Sequence, residues 1–186
     1  MAKGGGFELE ISKRLSLWYS NEATNEVFRR NRRGGRGDIT YRLPEGKLLI
    51  DAWNIECKTG YSKVVKEGGK KRIFDWGLLE ILDSQQSTPR LQEFWDQCRD
   101  DAWYTNREPI LIFRRPFRTP CIMMRSSYWR RLQEICGPPH GQYITANIIG
   151  ETFNLKGLGD FLSWIDPDEL MESGLLKPKL SLSTNY

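Results

Sequence analysis

The chain of 186 residues carries 28 Lys and Arg against 24 Asp and Glu, a net charge of +4, and 39% of it is hydrophobic. Those values suit one globular domain, or one domain with an appendage. They exclude several classes. No run of about 18 apolar residues offers a membrane-spanning helix, and the acids of Phe7-Glu8-Leu9-Glu10 interrupt the apolar stretch that a signal peptide needs. Cys57, Cys98, Cys121 and Cys136 form no C-x-x-C pair and the single His140 sits in a Gly-Pro-Pro-His-Gly turn, so a zinc cage is not expected. The expected compartment is the cytoplasm, with the thiols reduced and buried. Carboxylates, lysine and metal remain as the means of catalysis.

The elements follow in chain order. Phe7, Ile11, Leu15 and Trp18 fall on one stripe at helical spacing, which predicts a helix over 7–18. Glu8 lies about 100° round from Phe7, at the stripe's border, whereas Glu10 lies on the far side and is expected in solvent. Arg29 to Gly37 reads as a basic, glycine-rich loop, and Asp38 to Leu43 as a strand closed by the turn Pro44-Glu45-Gly46. Lys47 to Lys58 reads as one long strand, yet its apolar parity switches between Ala52 and Trp53, so a bulge or bend is expected near Asp51. Uninterrupted, that strand would bury Asp51, which is therefore not counted as a ligand. Gly60 to Arg72 reads as a lysine-rich connection and Phe74 to Leu82 as a short helix.

Ser87-Thr88-Pro89 has the chemistry of a helix start, and Leu91, Trp95, Cys98 and Ala102 follow as its buried stripe, with Trp95 in the core. Pro109 to Arg114 and Cys121 to Met124 are continuous apolar runs, as expected of central strands covered on both faces. Ser126 or Ser127 opens a helix carrying Trp129, Leu132 and Cys136. Tyr143 to Ile149 is expected as an edge strand and Leu158 to Ile165 as a short helix. After Asp166-Pro167 a polar, loosely attached tail is expected. The order is that of an α/β fold with a central mixed sheet flanked by helices.

Chemistry concentrates between residues 38 and 58. Side chains alternate along a strand, so Glu56 and Lys58 point one way and Ile55 and Cys57 the other, into a core. Asp38 at the start of one strand, with Glu56 and Lys58 on a neighbour, makes an arrangement that can hold a divalent cation and a water beside a phosphodiester. Mg²⁺ or Mn²⁺ prefers oxygen ligands; Asp38 and Glu56 are the candidates, with the Cys57 carbonyl, between the two active side chains, as a third. Lys58 would stand beside the attacking water or the phosphate. Two basic clusters bracket these residues: Arg29, Arg30, Arg32, Arg33 and Arg36, then Lys63, Lys66, Lys70, Lys71 and Arg72. That distribution points to a nucleic-acid backbone. The alternative for Glu56 and Lys58 is a solvated pair on an edge strand.

At these residues the chain resembles the PD-(D/E)xK nuclease superfamily and, within it, the archaeal-type Holliday junction resolvases that some phages also carry. The resemblance covers about Gly5 to Phe113 and rests on Gly6-Phe7-Glu8, Asp38, Glu56 and Lys58. It implies a restriction-endonuclease-like core (about 5–125) within a nuclease domain over 1–165, with 166–186 as a C-terminal extension. It adds Glu8 to the metal site. It further implies a Mg²⁺-dependent endonuclease, acting as a homodimer that nicks four-way DNA junctions in pairs for recombination and repair. The same site on a restriction-like or repair nuclease acting on other double-stranded DNA is the second reading, and a DNA-binding protein without catalysis the third. Gly37 stands where the family has proline, the arginine loop lacks the family's serine, the interval from Asp38 to Glu56 is long, and the region after Cys121 has no counterpart.

Overall fold

Helix α1 (Gly5–Tyr19) buries Phe7, Ile11 and Leu15, the stripe its spacing predicts, and continues one residue past it. The computed structural model describes residues 5–32, 36–59, 63–67, 70–74, 90–148 and 150–176, those of 60–90 through the backbone alone. After α1 the chain forms the hairpin β1 (Phe28–Arg30) and β2 (Ile39–Tyr41), antiparallel, with Arg29 opposite Thr40. Arg29 and Arg30 are thus strand residues and not loop. The turn at 44–46 is a short 3-10 segment.

The long strand expected over 47–58 is two elements. Lys47–Ala52 is helix α2, held by an i,i+4 ion pair between Lys47 and Asp51, and Trp53–Thr59 is β3. The parity switch at Ala52 marks the end of a helix, where the side-chain period changes from 3.6 to 2. Asp51 is accordingly partly exposed on α2. In place of a featureless lysine-rich connection, β4 (Lys63–Glu67) and β5 (Lys70–Phe74) pair antiparallel. The helix expected over 74–82, beyond Phe74, and the Ser87-Thr88-Pro89 start lie outside the described residues.

Helix α3 (Arg90–Thr105) and strands β6 (Glu108–Arg114) and β7 (Cys121–Arg125) follow, then helix α4 (Ser126–Cys136). Strand β8 (Tyr143–Ile148) sits at a sheet edge as expected, whereas its partner β9 (Glu151–Gly157) carries no clean alternation and was not foreseen. The five-stranded sheet runs β3-β6-β7-β9-β8, parallel between β3 and β6 and antiparallel elsewhere.

One face of this sheet packs Ile55, Ile112 and Met124 against α1, α4 and the C-terminal helices. Trp53 stacks on Trp18 at 6.3 Å and donates its Nε1–H to the Tyr128 hydroxyl at 2.6 Å. Trp18 donates its own indole N–H to the Ile165 carbonyl, tying α1 to the end of α5 (Leu158–Trp164). The other face packs Leu111, Phe113, Met123 and Phe153 under Leu91, Trp95 and Cys98 of α3.

The chain does not become a loose tail at Asp166. The Asp166 carboxylate accepts from the backbone N–H of Asp168 and Glu169, and Pro167 occupies the first turn, so α6 (Pro167–Glu172) has a well-capped N-terminus. Leu170, Leu175 and Leu176 are then buried in the larger core. No helix of the described residues is long and apolar enough to cross a membrane.

Candidate active site

Strand β3 is the outer strand of the five-stranded sheet, and its free edge receives Asp38. The Asp38 backbone N–H donates to the Ile55 carbonyl and the Asp38 carboxylate accepts from the Cys57 N–H, both at 2.8 Å. Gly37 makes this approach feasible. Its φ of +79° suits glycine, and a Cβ there would stand 3.0 Å from Asn54 Oδ1 and 3.3 Å from the Ile55 carbonyl. Proline, with φ locked near about −65°, cannot adopt this backbone, so the departure from the superfamily's motif reflects a different entry into the strand. Asn31 braces the turn through its backbone N–H to the Asp38 carbonyl and its amide to the Gly37 carbonyl.

Glu56 and Lys58 share one face of β3, as their parity requires, with Ile55 and Cys57 in the core behind them. The Glu56 side chain is only 4% exposed, and Oε1 accepts from the Lys58 ammonium at 2.5 Å and from the Gln97 amide at 3.0 Å. Burial raises the Glu56 carboxyl above its ordinary range, the neighbouring Asp38 raises it further, and Lys58 offsets part of this. Burial likewise raises Asp38, against the Cys57 N–H and Lys58, with Glu8 and Asp101 adding to the rise. Two carboxylates thus share a partly dehydrated space. Glu8 stands beside them on α1, its carboxylate paired with the Arg30 guanidinium at 2.8 Å. The Cys57 thiol is buried and its pKa well raised by that burial, so it is no nucleophile.

Helix α3 supplies a wall that the sequence did not announce. Phe94 lies under the Lys58 ammonium at 5.8 Å, Gln97 holds Glu56, Asp101 acts electrostatically on both carboxylates, and Tyr104 carries the Arg36 guanidinium at 3.6 Å over its ring. These positions repeat at i, i+3, i+7 and i+10, on the flank beside the buried stripe 91/95/98/102. The repeat was present in the sequence; what it faced was not.

The basic residues divide. Arg29, Arg30 and Arg32, with Leu9 and Thr40, line a groove of 610 Å³ alongside the hairpin, joined by Arg42, which the sequence reading did not single out. Arg36 is drawn to Tyr104. Arg33 lies outside the described residues, and the backbone register sets Lys66 opposite Lys71, Val65 opposite Arg72 and Lys63 opposite Phe74. Glu10 is not free in solvent: it pairs with Arg114 at 2.6 Å. A separate concavity of 190 Å³ lies near the start of β3, between Asp51, Trp103, Arg107 and Arg125, and includes none of the site carboxylates.

Among the described residues no cluster of three His, Cys, Asp or Glu side chains is gathered to hold a metal. The donor set nonetheless fits a hard cation of the Mg²⁺ kind, which takes one or two carboxylates and fills its other positions with water and substrate phosphate. Asp38 and Glu56 supply the carboxylates. Because the Cys57 N–H leaves the strand toward Asp38, its carbonyl, on the same side in an extended strand, does so too.

A five-stranded mixed sheet flanked by helices, with an acid and an acid-x-lysine pair meeting at its outer strand, defines a restriction-endonuclease-like core. The chain belongs to the family described as "Phage putative PDDEXK endonuclease", which matches residues 1–155. It is therefore a member of the PD-(D/E)xK nuclease superfamily, whose enzymes generally use divalent metals. No curated protein and no solved structure matches it.

Proposed function

We infer that the protein is a Mg²⁺- or Mn²⁺-dependent DNA endonuclease whose site comprises Asp38, Glu56 and Lys58 with Glu8 beside them, and that its substrate is a four-way junction. The observation that carries the catalytic reading is the convergence of Asp38 and Glu56 on the Cys57 segment of β3, with Lys58 bound to Glu56. Asp38, Glu56 and the Cys57 carbonyl would hold the cation, which when bound lowers the pKa of water and offsets charge on the phosphate. Lys58 keeps positive charge at the point of attack, where it favours hydroxide and stabilises the charge growing on the phosphoryl oxygens. Gln97 fixes the Glu56 carboxylate and the Cys57 N–H fixes that of Asp38. A water oxygen gives up a proton to solvent and bonds to phosphorus, the bond to one sugar oxygen breaks, and that oxygen takes a proton from solvent.

The junction reading rests on the resemblance of Phe7-Glu8, Asp38, Glu56 and Lys58 to the resolvases. Paired nicks would need two copies, and a two-fold symmetric dimer matches a two-fold symmetric substrate. The groove of Arg29, Arg30, Arg32 and Arg42 would track phosphates, and Lys63, Lys66, Lys70, Lys71 and Arg72 would extend that surface along the β4–β5 hairpin.

The test is cleavage of a labelled four-way junction beside a linear duplex of the same arms, with Mg²⁺ or with EDTA. Paired nicks in the junction alone, lost in EDTA, are expected. Equal cutting of both would keep the nuclease and remove its junction specificity. Replacing Arg29 and Arg32 with Ala should flatten the dependence of log affinity on log salt by about 2; an unchanged slope would remove the groove from the DNA surface.

A further inference from the structure

The loop between β6 and β7 presents an aromatic ring to solvent. Phe117 is 94% exposed, the most open large apolar side chain among the described residues, and it sits at the tip of Arg115-Pro116-Phe117-Arg118. Its backbone has φ +59°. Among the described residues the other non-glycine positions with positive φ are Asn21, Glu22 and Asn106, all polar; of these four Phe117 alone is apolar. Arg115 and Arg118 flank the ring and are exposed, and the Arg118 N–H closes the turn on the Arg115 carbonyl at 3.1 Å.

The position follows from strand register. β3 and β6 run parallel with Lys58 opposite Phe113, so the loop leaves the sheet at the end where Lys58 stands. Four residues of chain and one strand spacing put the Phe117 backbone within about 20 Å of the Lys58 backbone. At about 3.4 Å per base step, that is no more than about six steps from a phosphate at the site.

We propose that Phe117 is a wedge that stacks on a base where the DNA stack is already interrupted, with Arg115 and Arg118 holding the phosphates on either side. Exposed apolar side chains enter DNA between base steps, and aromatic rings stack on bases of any sequence. Opening an intact step costs about as much as one ring recovers, so a lone Phe gains little on a continuous duplex. At a branch, bulge or flap the opening is already made and the stacking is net gain. The loop would thus select branched over linear DNA. The inference rests on the nuclease reading and adds to it the residue that recognises the branch.

Fluorescence of 2-aminopurine at the branch of an oligonucleotide four-way junction, and within a linear duplex of the same arms, tests it. Wild type, Phe117→Ala and Phe117→Trp are titrated in EDTA, then assayed for cutting with Mg²⁺. Wild type and Phe117→Trp should bind the junction alike and lower the branch signal, because a ring stacked on an already opened base quenches it. Phe117→Ala should bind it roughly tenfold more weakly, leave the branch signal unquenched and keep wild-type duplex affinity, with its thermal midpoint unchanged. Equal junction affinity, signal and preference in Phe117→Ala would overturn the wedge while leaving the nuclease intact. Wild type that neither binds nor cuts either DNA would overturn the nuclease reading and the wedge with it.

Discussion

The two faces of the five-stranded sheet are built for different tasks. One carries α1, α4, α5 and α6 over a continuous core in which four tryptophans, Trp18, Trp53, Trp129 and Trp164, are buried. Among the described helices the other is covered by α3, over a smaller cluster around Trp95 and Phe153. Glu56 and Lys58 point onto that second face, where the flank of α3 meets them with Gln97 and Phe94. A carboxylate and a lysine on the first face would be buried among indoles at large desolvation cost. On the second Asp38 and Lys58 stay partly exposed, and the buried Glu56 carboxylate is held by Lys58 and Gln97. The thick face therefore carries stability, and the thin face tolerates the unfavourable electrostatics of the candidate site.

The sharpest way to break this comparison is Glu56→Gln. Cleavage should fall by about a thousandfold or more while stability in metal-free buffer is not reduced, because repulsion with Asp38 is relieved. A paired cleavage assay and urea titration decide it; retained activity would remove Glu56 from the site. Trp129→Ala on the thick face should do the reverse, costing about 3–5 kcal/mol of stability. Leu176→Ala should cost about 2–5 kcal/mol; a shift near zero would return residues after Asp166 to the status of a tail.

The pH dependence separates the faces next. Burial raises Asp38 and Glu56 above their ordinary values of 3.8 and 4.5, so in that window the metal-free folded state binds more protons than the unfolded chain. The contribution of these two groups to stability is therefore present at low pH and lost as pH rises from those values through the raised ones. Wild type minus Glu56→Gln, followed by urea unfolding from about pH 4 to pH 8, should fall across this range; a flat difference would show that Glu56 is not strained. The smallest effect is at the rim. Tyr104→Ala removes the ring under Arg36 at an exposed position and should cost no more than about 1 kcal/mol.

Much of this was legible because it is local. The stripe of α1, the apolar runs of β6 and β7, the buried stripe of α3 and the parity of Glu56 and Lys58 are properties of a few consecutive residues, and the structure bears each out. The errors arose where a local pattern had two readings. Leu48, Ile50 and Ala52 alternate as a strand would, yet the Lys47–Asp51 spacing closes a helical turn. Asp166-Pro167 resembles the end of a fold until Leu170 and Leu176 are buried. Strand β9 lacks clean alternation because Phe153, Asn154, Leu155 and Lys156 are all buried.

By itself the sequence determined the chemistry available: an acid, an acid and a lysine at strand spacing, flanked by arginines, with histidine and paired cysteine absent from the candidates. Only tertiary structure decided how they meet. Asp38 comes beside Glu56 at the sheet edge because Gly37 turns with positive φ and lets the Asp38 N–H donate to the Ile55 carbonyl, and Gln97 and Asp101 arrive some forty residues later on α3. Periodicity tells which way a side chain faces along its own element; it cannot tell which other element will be there to meet it.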